Sequence, residues 1–232
     1  MRSKLFLSGM FSIMLVFGFI VLGCNTGNNP SSTKKVVLIN PPEKNIQVYL
    51  RDDTEYKGNA AVNIEVGGKT IQVGSIASGI LTIDKLPETI DEADLIGFDA
   101  RLTIDPDDAK YFNVAVFNIV ENGTTKQGQL QYHKDTYVNG TDIEQELNQV
   151  MYRYFQKDVL ITGTMNGQWT YPESQVKIDI VSLWKVEGKK GWNHLYGYAT
   201  YNAEKKEQTR HVVTDVSEVV VPKDLKWIIK WW

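Results

Sequence analysis

The chain carries three histidines, His133, His194 and His211. No two of them stand at the spacing of a zinc motif, and no Gly-x-Ser-x-Gly elbow occurs. Neither metal-assisted hydrolysis nor a serine nucleophile is therefore written in the sequence. The segment nearest to a metal loop runs from Asp135 to Glu146. Asp135, Asn139, Gly140 and Glu146 fall where a calcium loop wants an acid, an amide, a turn glycine and a closing Glu. Tyr137 stands where an oxygen ligand is needed, and Asp142 where the loop is normally apolar. An ordinary polar turn is the better expectation there, as it is for Asp105-Pro106-Asp107-Asp108. No metal site and no cofactor is expected.

The aromatic residues say more. All six tryptophans lie between Trp169 and Trp232. In a strand through 192–200 alternate side chains share a face. Trp192, His194, Tyr196 and Tyr198 then form one row, with Asn193, Leu195, Gly197 and Ala199 opposite. Facing inward, the row is core. Facing outward, it is a candidate ligand-binding platform on which sugars or peptides stack. Burial is the better expectation of the two.

The elements that would position these residues are mostly strands. Val36 to Ile39 is a short β-branched run. Ile46, Val48 and Leu50 alternate with polar neighbours, as do Val62, Ile64 and Val66. Gly67-Gly68 then supplies the positive φ of a tight hairpin turn, and Thr70 to Val73 runs back. Ile80 to Ile83 is a further strand. Phe112 to Ile119, the turn Asn122-Gly123 and the run Lys126 to His133 make a second hairpin signal. Thr141 to Val150 breaks the pattern: Ile143, Leu147 and Val150 fall at helical spacing behind a capping box, which predicts one short helix. Strands resume at 159–164, 176–184, 192–201, 211–213 and 225–231. Short strands with Gly- or Pro-bearing turns favour sandwiches.

The chain has 232 residues, 23% of them charged, and a net charge of −3, enough to build a real core but not the basic face that nucleic acid requires. It has one cysteine, Cys24, so disulfides cannot staple the fold. Arg2 and Lys4 precede an almost wholly apolar run, Leu5 to Leu22, which ends Val21-Leu22-Gly23-Cys24. That order of charge, apolar run and small residue predicts an export signal over residues 1–23. An uncleaved membrane helix is the weaker reading, because the run is at the short end for spanning. Removal of the signal brings the net charge to about −5. Residues 24–35 are rich in Asn, Ser, Gly and Thr and read as a flexible tether.

The tetrapeptide resembles the lipobox of bacterial lipoproteins. The resemblance implies lipidation of Cys24, including acylation of the palmitate kind, and a membrane partner held through that anchor. Asn25 stands where an Asp marks inner-membrane retention in enteric bacteria, which favours the outer membrane. Two other stretches carry a family likeness. Gly79-Ile80-Leu81-Thr82-Ile83 with Leu86-Pro87-Glu88-Thr89-Ile90 is similar to the late strand and turn of transthyretin-like or immunoglobulin-like modules. Lys157 to Thr164, Lys189-Lys190-Gly191-Trp192-Asn193 and Leu225-Lys226-Trp227 resemble modules of small treponemal and other spirochaete lipoproteins of unknown function. This implies a β-rich exported module and brings no active site with it.

The expectation is a mainly β protein: one or two β-sandwich modules of immunoglobulin or transthyretin-like type, with one short helix, divided into 36–100 and 101–232. A lipid-anchored, non-enzymatic binding or interaction protein of the cell envelope, with a glycan or protein ligand, is the leading functional expectation. An envelope enzyme acting on glycans and a structural envelope component are the alternatives. A membrane-spanning barrel, suggested by the terminal Trp232, is not expected, because the strands look too short for it.

Overall fold

The computed structural model describes residues 38–39, 44–124, 126–214 and 225–231. The expected signal, tether, Cys24 and Trp232 lie outside them. The protein is mainly β, and its strands follow the alternation of apolar residues closely. The first six strands are β1 (Leu38–Ile39), β2 (Ile46–Leu50), β3 (Ala60–Val66), β4 (Lys69–Ala77), β5 (Ile80–Ile83) and β6 (Leu86–Pro87). A single turn of 3-10 helix, Glu92–Asp94, follows. Next come β7 (Ile96–Gly97), β8 (Thr103–Asp105), β9 (Lys110–Val114), β10 (Phe117–Glu121) and β11 (Gln127–Tyr137). The longest strands come late: β12 (Glu144–Phe155), β13 (Val159–Thr170), β14 (Lys177–Gly188) and β15 (Gly191–Asn202). β16 (Glu207–Val213) and β17 (Lys226–Trp231) complete the set.

Seven strands close on themselves where two facing sheets were expected. Their order is β10-β3-β4-β5-β2-β17-β11, and β11 returns to β10. Six of the seven pairings are antiparallel; β17 pairs with β2 in parallel, Trp227 opposite Val48. The inside is filled by the residues whose alternation is visible in the sequence, among them Val48, Val62, Ile64, Ile83, Ile119 and Leu130. Trp227 and Phe117, 1% and 2% exposed, are among the largest side chains of this core. Burying each such side chain contributes about 1.5–3 kcal/mol. The Gly67-Gly68 turn is where the sequence puts it, with φ of 58° and 69°.

From the barrel the sheet runs on. Residues 127–130 of β11 pair with β10, and residues 132–137 of the same edge pair with β12. Beyond β12 the order is β15-β16-β14-β13-β8, with β14 and β16 parallel. Strand pairings therefore cross residue 100 at three places, β3 to β10, β2 to β17 and β7 to β9.

The expected helix at 141–150 is a strand. Ile143, Leu147 and Val150 satisfy helical spacing by coincidence, and the run Val150 to Phe155 behind them is β-forming and paired on both edges. The capping-box threonine serves a turn: Thr141 Oγ1 donates to Val138 O and accepts from Ile143 N.

Candidate functional site

The strand β15 does put Trp192, His194, Tyr196 and Tyr198 on one face, but their surroundings differ. Trp192 is half-buried; its indole N–H donates to Pro87 O at 2.7 Å and its ring meets Phe112 and Tyr154 edge-on. Tyr196 is 2% exposed, and its hydroxyl bonds Asn148 Oδ1. Burial pushes that phenol up to about 12. His194 is exposed and sits edge-on to Tyr152. Tyr198 is half-buried and stacks flat on His211, centroids 4.3 Å apart. Structure thus separates two packed members of the row from two that reach the surface. The neighbouring Lys-Lys-Gly-Trp-Asn motif is a connection from β14 to β15. Asn193 clamps it, accepting from Lys189 N and donating to Lys189 O and Gly191 O.

The opposite face of the same sheet holds a feature that the sequence does not announce. A cavity of about 30 Å³ lies where β11, β12 and β17 meet. Polar side chains reach its wall from three strands: Gln131, His133 and Asp135 from β11, Glu144 and Gln149 from β12, and Lys230 from β17. Tyr137, Leu147 and Ile228 complete the wall, and Arg51, the exposed member of the lining, marks its solvent side. Alternation places Gln131, His133 and Asp135 on the side of β11 away from Leu130 and Tyr132. One residue arrives by another route. The register slips between Thr136 and Tyr137, so that Tyr137 faces Glu144 while Thr136 faces Glu146. Gln145 is the extra residue of this bulge, and it re-aims Glu144 toward the cavity.

A chain of contacts joins these groups. Arg51 Nη2 donates to the Tyr137 hydroxyl at 3.2 Å, and that hydroxyl donates to Asp135 Oδ2. Asp135 Oδ1 stands 3.7 Å from His133 Nε2. Burial pulls the His133 imidazole below its ordinary range; Asp135 opposes this, and Arg51 and Lys230 add to it. Burial raises the Glu144 carboxyl, against the attraction of Arg210. Burial and Arg51 together lower the Lys230 ammonium. Three buried atoms on this wall have no hydrogen-bond partner among the described residues: Gln131 Nε2, His133 Nδ1 and Gln149 Oε1.

The calcium-like segment is the hairpin between β11 and β12. Asp135 is held by Tyr137, and Asp142 accepts from the Glu173 and Ser174 amides at 2.8 and 3.2 Å, tying two loops together. Among the described residues no three His, Cys, Asp or Glu side chains are grouped to hold a metal ion. Comparison with family models, with curated proteins and with solved structures finds no match.

Proposed function

We propose that this is a lipid-anchored protein of the bacterial cell envelope, tethered through Cys24, whose β body is a non-enzymatic binding module. The run Leu5 to Leu22 ending in Val21-Leu22-Gly23-Cys24 carries the anchoring half of this reading. Each methylene of an attached acyl chain contributes about 0.8 kcal/mol in the bilayer, so two or more chains hold the protein stably. The outer membrane is the favoured site, at its periplasmic or surface face. The likeness of the Lys189–Asn193 and Leu225–Trp227 stretches to spirochaete lipoproteins fits the same reading.

The binding half is supported by the cavity, whose wall offers buried hydrogen-bonding atoms with no partner among the described residues. The exposed His194 and the Tyr198–His211 stack, the accessible remnant of the aromatic row, offer a second contact surface for a glycan or protein.

Growth with labelled palmitate tests the anchor. Label should enter the wild-type protein and be absent from Cys24→Ala, which should leave the membrane fraction or persist as precursor. Normal labelling and retention of Cys24→Ala would refute anchoring. A glycan array probed with the detergent-solubilised full chain tests the ligand class.

A further inference from the structure

We infer that the cavity between β11, β12 and β17 is a carbohydrate subsite, receiving the hydroxymethyl group of a sugar; this rests on the binding-module reading and names its ligand class. Size comes first. A bound water needs roughly 10–15 Å³ of such space, so about 30 Å³ accommodates two waters or two heavy atoms. A hydroxymethyl group has two heavy atoms.

Hydrogen-bonding character comes second. The unpartnered atoms are of both kinds: Gln131 Nε2 donates, Gln149 Oε1 accepts, and His133 Nδ1 does either according to its tautomer. Gln131 and Gln149 are 6% and 2% exposed, so an unmade bond there carries the full cost of desolvation. A hydroxyl donates once and accepts twice, so one hydroxyl can serve an amide N–H and an amide oxygen together. The second Gln149 amide bond, Nε2 to Ala115 O at 3.1 Å, fixes the side chain's position.

Charge comes third. A carboxylate tip would meet Asp135 and Glu144, and an ammonium tip would meet Arg51 and Lys230. Groups of both signs around a neutral pocket suit the adjoining hydroxyls of a sugar, which accept from the cations and donate to the carboxylates. A peptide serine has the same hydroxymethyl tip without those adjoining hydroxyls.

The test follows the side-chain amide NMR signals of Gln131 and Gln149 in the labelled full chain in detergent. Probes are methyl β-D-glucopyranoside, methyl β-D-galactopyranoside and the analogue of each deoxygenated at the exocyclic carbon. The expected result is saturable shifts with at least one parent glycoside and affinity weaker by roughly tenfold for its deoxygenated analogue. Gln149→Leu, or Gln131→Leu should the first fail to fold, should abolish the response, and the exposed control Gln168→Leu should keep it. No response to either glycoside, which leaves only bound water in the cavity, would overturn the subsite. So would stronger shifts with acetate, ammonium or N-acetylserine amide than with the sugars. A positive glycan array on which Gln149→Leu and Gln131→Leu bind as wild type would overturn the subsite and leave the binding-module reading standing.

Discussion

The two faces of β11 belong to two different interiors. On one side Leu130 joins Val62, Ile119, Trp227 and Ile229 inside the barrel, where the buried side chains are almost all hydrocarbon. On the other side Gln131, His133 and Asp135 look into a polar wall that continues through Gln149 to Gln208 and Arg210. The same strand thus supports a core that needs only to exclude water and a wall that needs partners for its polar atoms. Stability should be concentrated on the first side and response to solution conditions on the second.

The largest expected effect lies in the barrel. Trp227 touches Phe117, Tyr132 and Tyr152 and sits on the strand that closes the ring. Trp227→Ala should cost about 3–5 kcal/mol, read as a shift in the urea midpoint. A loss near that of a surface substitution would deny the barrel its role as the main core.

The polar wall should answer to pH. In the folded protein His133 resists its proton, while the unfolded chain takes it up near the ordinary value of 6.5. The unfolded state then binds more protons, so stability is present above that value and falls as the pH drops through it. The slope for one proton is at most about 1.4 kcal/mol per pH unit. His133→Gln should flatten the urea midpoint between neutral and mildly acidic pH. An unchanged slope would place the titration elsewhere.

The smallest effect is expected at Arg153, which is fully buried with no carboxylate bonded to it among the described residues. Asn113 Oδ1 accepts from Nε and Nη2 at 3.3 and 3.2 Å, and the rings of Tyr111 and Trp184 lie 4.4 and 5.3 Å from the guanidinium carbon. Burial lowers the group to about 10. Arg153→Met keeps the packing and removes a desolvated charge, so stability should change by less than about 1 kcal/mol or rise. A loss as large as that of Trp227→Ala would show that this charge is a structural partner.

Much of the barrel was legible. Its strands alternate cleanly, and the Gly67-Gly68 and Asn122-Gly123 turns announce their hairpins. Closure was not legible, because the parallel pairing of β17 with β2 joins segments far apart and leaves no local signal. The polar wall was hidden for a different reason. Gln131 and His133 alternate with Leu130 and Tyr132 as the solvent side of a strand does, Asp135 and Gln149 have polar neighbours in Lys134 and Asn148, and only the neighbouring strands reveal that they are enclosed. Glu144 was further masked by the bulge at Gln145, which breaks the parity that any reading by alternation relies on. The helical spacing of Ile143, Leu147 and Val150 misled because three positions cannot separate a helix from an irregular hairpin.

The parallel seam also sets a schedule for folding. The ring draws its strands from residues 46–83, 117–137 and 226–231, and nothing before the last of these can seal it. Pairings between such distant segments form late and slowly. During synthesis the early strands wait with an unsealed gap between β2 and β11. If the chain is exported as proposed above, the ring stays open until its last strand has followed the others across.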